Sequence, residues 1–317
     1  MPYNRVGKSG LKLPAMSLGT WHNFSEAEPL SNQRELLRTA FDLGITHFDL
    51  ADNYGNGAAE RNTGKILNTD FAGYRDELII STKAGHQFWD GPYGDWGSRK
   101  HLIAGIDQSL TRLGLDYVDI FYHHRPDPET PTEETATALA DIVRQGKALY
   151  IGISNYYGEA SKEIIDLLQE ERVPCLINQL PFNMFDQNAA DSGDFASLDE
   201  SGVGVITFSP LAQGLLTDRY LKGIPEDSRA GKSGTCLEES TVSDSVLKKV
   251  KALNEIAKSR SQSLAQMALV WNLNFSPVAS VLIGASRAEQ LKNNVEALEN
   301  TAFSTEELQR IRDALAS

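Results

Sequence analysis

A chain of 317 residues, 41% of them hydrophobic, can bury a large core as one big domain or two. The formal net charge of -13 argues against nucleic acid or an anionic membrane as partner, while leaving room for a local basic pocket that takes a phosphorylated small molecule. No apolar run approaches the ~20 residues that a membrane helix needs. The opening residues Met1 to Arg5 hold no apolar signal core, so export is not expected. Two cysteines, Cys175 and Cys236, are too few for a disulfide framework and fit no metal motif, which together with the opening points to a reducing cytoplasm.

Gly7 to Gly10 reads as a turn between two short strands, a small hairpin ahead of the main pattern. Short β-like runs then alternate with helical ones. The candidate strands are Ala15–Gly19, Ile45–Asp49, Leu78–Lys83, Tyr117–Tyr122, Ala148–Ile153, Cys175–Gln179, Val203–Thr207 and Val281–Gly284. Between them, apolar residues recur at three- and four-residue spacing, as in Leu36, Leu37, Ala40 and Phe41 before Gly44, and Leu102, Ile103, Ile106, Leu110 and Leu113 before Gly114. Thr130-Pro131-Thr132-Glu133 predicts a capping box with proline opening the helix, and Ser286…Glu289 and Ser304…Glu307 predict two further boxes. The helical part from Val246 to Leu273 breaks the regular spacing before the eighth strand, and the polar stretch Leu221 to Ser243 reads as a long surface loop.

Eight strand–helix units predict an α/β fold, a (β/α)8 barrel in one domain, 1–317. The rival, an open doubly wound sheet, would want a Gly-x-Gly-x-x-Gly turn after an early strand, and the chain has none. In a barrel the loops after the strands build the active site, and four residues of chemical interest fall there. Asp49 ends one strand, Tyr54 follows on its loop, Lys83 ends the next, and His123-His124 end the third. A tyrosine is a poor donor at neutral pH unless a cation lies beside it, so Lys83 is expected to depress the Tyr54 pKa and Asp49 to hold Lys83. The four remaining histidines, His22, His47, His86 and His101, show no metal-ligand spacing, and of these His22 alone is expected in the pocket.

Five ordered motifs carry a family resemblance. F-D-L-A-D-N-Y-G at 48–55, I-S-T-K at 80–83, Y-V-D-I-F-Y-H-H-R-P-D at 117–127, G-I-S-N at 152–155 and V-L-I-G-A-S-R-A-E-Q-L at 281–291 resemble the aldo-keto reductase superfamily. Within it they look like the bacterial L-glyceraldehyde 3-phosphate/methylglyoxal reductases, relatives of the voltage-gated potassium channel beta subunits. The resemblance implies an N-terminal hairpin and extra C-terminal helices, a catalytic quartet of Tyr54, Asp49, Lys83 and His124, reduction of small aldehydes with NADPH, no metal, and a homo-oligomer. It also implies cofactor contacts: Trp21, then Ser154, Asn155 and Gln179 toward the nicotinamide, and Phe208 stacked on its ring where Tyr or Trp is common. Ser209, Leu211, Gln213, Gly214 and Arg219 match the pyrophosphate segment, and Gly284, Ser286, Arg287, Gln290 and Asn294 the adenosine end. Arg287 suits a 2′-phosphate. Asn293 departs from the family, where Glu often contacts the adenine.

Trp21, His22, Tyr54, Trp89 and Arg125 are the residues expected around the substrate, with Arg99 and Lys100 as further cations for a phosphate. Arg125 has an alternative as a structural partner of Asp127. Two other functions compete. A non-catalytic NADP(H)-sensing subunit of the channel-beta kind is disfavoured by His124, where those subunits carry asparagine. A metal-dependent barrel hydrolase is disfavoured because no His-x-His motif or carboxylate cluster sits at the strand ends.

Overall fold

The computed structural model describes residues 1–221, 223 and 241–316. Most of the polar stretch read as a long loop, Cys236 included, lies outside the described residues. Two short strands, β1 (Tyr3–Arg5) and β2 (Lys12–Pro14), form the expected antiparallel hairpin. Among the described residues eight further strands follow: β3 (Met16–Gly19), β4 (His47–Asp49), β5 (Ile79–Ala84), β6 (Val118–His123), β7 (Ala148–Ser154), β8 (Cys175–Pro181), β9 (Gly204–Phe208) and β10 (Val278–Ile283). All eight run parallel and close on themselves in the order β10-β3-β4-β5-β6-β7-β8-β9. Each predicted strand is present. The last begins three residues earlier than expected, since Val278 already pairs with β9.

Alternation along the strands decides what faces where. On β4, Phe48 joins the apolar layer between strands and helices, while His47 and Asp49 point into the barrel. The hairpin closes the barrel's N-terminal end. Val6 and Leu13 pack with Ile120, Tyr122, Ile177 and Ile206, and the Lys8 amide donates to the Gly202 carbonyl just ahead of β9. The opposite, C-terminal end is left for chemistry. Helix Arg99–Leu113 shows how the sequence delimits an element: Ser98 accepts from the His101 amide, and Gly114 at φ 65° closes it.

Of the three predicted capping boxes one forms. Ser304 and Glu307 exchange their hydrogen bonds as expected. Helix Thr132–Arg144 starts after Pro131 with no side-chain cap, so proline precedes the first turn instead of opening it. Before helix Ala288–Glu296, Ser286 gives both its amide and its hydroxyl to Gln290, which leaves Glu289 no role as a box partner. A complete box that was not anticipated, Ser263 with Gln266, opens helix Leu264–Asn272. Helix Thr305–Ala316 ends the described chain.

Candidate active site

Asp49 leaves β4 and Lys83 lies near the end of β5, where the parallel register puts Asp49 opposite Ser81. Both are fully buried, and an isolated charge there would be costly. They meet each other: Lys83 Nζ donates to Asp49 Oδ2 at 2.5 Å. The ammonium has three hydrogens, and its other two acceptors are the Leu50 carbonyl at 2.7 Å and the Tyr54 hydroxyl oxygen at 3.5 Å. With that oxygen accepting from Lys83, the hydrogen of the Tyr54 hydroxyl is left to point elsewhere. Asp49 Oδ1 accepts from Ser81 Oγ at 2.7 Å and from Gln179 Nε2 at 3.2 Å.

One electrostatic expectation fails. Lys83 does not pull the Tyr54 phenol down; desolvation, with the Asp49 and Asp52 carboxylates adding to it, pushes the phenol well above its ordinary value. Sequence spacing gave the cation but not the burial, and burial dominates. Burial likewise draws Lys83 below its usual range, against the opposing attraction of Asp49.

His124, just past β6, stands edge-on to Tyr54 with ring centroids 6.0 Å apart. Burial, helped by the Lys83 charge, holds its pKa well down, so the ring is neutral. Its Nδ1 is buried with no partner among the described residues. His123 points away into the interior, bonded at 2.6 Å to the Tyr156 hydroxyl. His86, set aside in the sequence reading, belongs to the site: its ring lies 4.4 Å from that of His124. Its place after β5, three residues past Lys83, is the signal that was there to be read. Trp21 stacks on His22 at 4.1 Å and stands 6.3 Å from Tyr54, so these rings gather at one mouth.

Other expected pocket residues have different occupations. Trp89 packs on His101, in the first turn of helix Arg99–Leu113, at 4.8 Å and lies near Phe88 of its own loop. Arg125 pairs with Asp95, not Asp127; it also donates to the Gly85 carbonyl and lies 3.7 Å above the Trp96 ring. That triple contact staples the 85–97 loop to β6. Asp127 instead accepts from the amides of Gly97, Glu129 and Thr130. Arg99 pairs with Asp141.

Residues that could hold a dinucleotide follow the later strands. Ser154 donates to the Gln179 carbonyl, and Asn155, at φ 59°, donates to the His124 carbonyl. Phe208 ends β9 half-buried. Ser209, Ala212 and Gln213 all take left-handed backbone, a strain of the kind kept where a ligand is gripped. Leu211 is half-buried, as is Gly214. Arg219 is exposed in a short turn after Thr217. Past β10, a Cβ at Gly284 would meet open space, Asn294 is buried, and the exposed Arg287 caps its helix with no ion pair among the described residues. A strained loop, an open glycine and an uncommitted guanidinium fit a phosphate-bearing dinucleotide. Among the described residues no group of histidine, cysteine and carboxylate side chains could hold a metal.

Known proteins resemble this chain over nearly its whole length. The chain is 56% identical to the L-glyceraldehyde 3-phosphate reductases of Escherichia coli O157:H7 and strain K12, over 100% of its length and 93% of theirs. It is 37% identical to a probable voltage-gated potassium channel subunit beta of Arabidopsis thaliana, over 94% of this chain and 92% of that one. A thermostable aldo-keto reductase crystallised with the inhibitor epalrestat superposes with a TM-score of 0.78 at 30% identity, covering 99% of this chain and 100% of its own. The holo form of an aldo-keto reductase from Bacillus halodurans gives 0.80 at 28%, covering 99% and 96%. The Aldo/keto reductase family profile matches residues 15–316, and the chain, an oxidoreductase, belongs to that family.

Proposed function

We propose that this enzyme reduces small aldehydes with NADPH, L-glyceraldehyde 3-phosphate and methylglyoxal among them, with Tyr54 as proton donor. The observation that carries this reading is the donor count at Lys83. Its hydrogens go to Asp49, Leu50 and the Tyr54 oxygen, so the Tyr54 hydrogen is available to a carbonyl oxygen at the mouth. Bound NADPH supplies the hydride to the carbonyl carbon. As negative charge gathers on the substrate oxygen, the hydrogen bond from Tyr54 strengthens until the proton passes. A phenol held above its usual pKa keeps its proton until that moment, and the neutral His124 ring beside it limits where the oxygen sits.

The substrate reading rests on the E. coli relatives and on the Trp21, His22 and Tyr54 rings at the mouth. Because Arg125 is engaged with Asp95, a phosphate group on the substrate is expected to give a modest advantage. Replacing Tyr54 by Phe should leave NADPH binding intact and lower aldehyde reduction at least ~10²-fold, the usual worth of general acid catalysis. Full turnover in that variant refutes the role. Comparing kcat/KM for glyceraldehyde 3-phosphate, free glyceraldehyde and methylglyoxal tests the substrate class, which fails if a steroid ketone outperforms all three.

A further inference from the structure

Below Asp49 the barrel interior holds four fully buried polar side chains that the reaction above does not use: Ser280 on β10, Ser17 on β3, His47 on β4 and Ser81 on β5. These strands are neighbours in the barrel. Ser280 Oγ lies 2.7 Å from Ser17 Oγ, Ser17 Oγ 2.9 Å from His47 Nδ1, and His47 Nε2 2.9 Å from Ser81 Oγ. Ser81 then reaches Asp49 Oδ1 at 2.7 Å, and the other carboxylate oxygen carries Lys83. One hydrogen-bonded chain thus runs across four strands and ends beside Tyr54.

Donor accounting fixes its direction. An ionised carboxylate only accepts, so the single Ser81 hydroxyl hydrogen goes to Asp49. Ser81 Oγ must then accept from His47, which puts the ring hydrogen on Nε2. A neutral imidazole has one N–H, so Nδ1 accepts and Ser17 supplies the hydrogen; Ser17 in turn accepts from Ser280. Every hydrogen points toward the carboxylate, and bonds aligned this way polarise one another. Burial lowers the His47 pKa to about 4, consistent with a neutral ring near pH 7.

We propose that His47 is a positioning residue for the catalytic pair: as the Nε2–H tautomer it sets the direction of the chain, and through Ser81 it holds Asp49 in the one rotation that presents Oδ2 to Lys83. Rotating the carboxylate would forfeit the bonds from Ser81 and Gln179 together. A buried imidazole is costly unless both nitrogens are bonded, and here both are, to Ser17 and to Ser81, so an apolar side chain at 47 would leave both hydroxyls short of a partner. The inference rests on Tyr54 as proton donor for its kinetic consequence; its structural content does not.

Two measurements on the full-length protein test it. Long-range proton–nitrogen NMR with 15N-labelled histidine, His47 being assigned by its loss in His47→Gln, should show a neutral ring protonated on Nε2 at pH 7. A ring protonated on Nδ1, or a cation, overturns the proposal. In kinetics, Ser81→Ala should lower kcat ~10- to 100-fold, the range expected for one bond to a charged group, with KM and the NADPH Kd within about twofold of the parent. His47→Phe should match that loss, and His47→Gln should recover most of it, because its amide N–H can still serve Ser81. Unchanged kcat in Ser81→Ala, or losses in KM and Kd that merely track a lower Tm in every variant, reduces His47 to packing. Should His47→Phe fail to fold, Ser81→Ala and the tautomer decide alone. If Tyr54→Phe keeps full activity while the ring is found protonated on Nε2, the donor assignment fails and the chain stands.

Discussion

Arg287 is the side chain on which the proposed use of NADPH turns. It caps helix Ala288–Glu296, is exposed, and has no ion pair among the described residues, whereas Arg125 and Arg99 are each held by an aspartate. If it meets a 2′-phosphate, Arg287→Ala should weaken NADPH binding by ~1.5–3 kcal/mol, the usual worth of a hydrogen bond to a charged group, and leave NADH binding nearly unchanged. Titrating the variant with each dinucleotide checks this, and equal losses for both would remove the support for NADPH. At this scale the sequence was most informative where chemistry and a strand end coincide, as at Asp49, Lys83 and His124. It was least informative where a loop side chain chooses among several partners. Arg125 had Asp127 two residues away, but the folded 85–97 loop brings Asp95 to it. The effect of Lys83 on Tyr54 failed for a related reason: position in sequence carries no measure of desolvation.

Elements were legible when local signals had no tertiary competitor. The Ser304 box forms at an exposed helix start, while the Ser286 amide and hydroxyl both donate to Gln290, so a four-residue motif loses to a partner just outside it. Helix Ala58–Asp70 packs against helix Arg99–Leu113 at a point no sequence pattern announces. A Cβ at Gly64 would lie 2.6 Å from the Leu113 carbonyl oxygen and 2.7 Å from that of Arg112. Backbone cannot swing aside as a side chain can. Close by, Arg112 and Thr82 both bond the buried Glu60 carboxylate, so the two helices and β5 are tied at one junction. Gly64→Ala should therefore destabilise the fold by ~1–3 kcal/mol, as overpacking does, and urea unfolding monitored by circular dichroism should show it. A stability equal to the parent's would mean the helices part at little cost.

For the whole molecule, the strand–helix alternation made the barrel legible, because each buried parallel strand is a short apolar run that a helix period then replaces. The polar interior was not legible: His47 looks like an ordinary strand residue until its neighbours across β3 and β5 are known. That interior has a consequence for acid stability. Burial lowers His47 to about 4 and His123 to about 3, from 6.5, and lowers His86, His101 and His124 as well. A histidine with a depressed folded pKa is protonated first in the unfolded chain, so stability falls as pH drops below 6.5 and stops falling near the folded value. At ~1.36 kcal/mol per pH unit, His47 and His123 should each cost about 2 kcal/mol at pH 5. Asp52 and Asp119, whose carboxyls burial raises, act in the opposite direction and offset part of this. The His47 and His123 shares alone, about 4 kcal/mol together at pH 5, are large beside the ~5–15 kcal/mol of a typical fold. Urea midpoints should drop steadily from pH 7 to 5 at constant slope, and His47→Gln should remove roughly one histidine's share of the drop. Midpoints that stay level over that interval would show that these rings are already charged, or already solvated, in the folded protein.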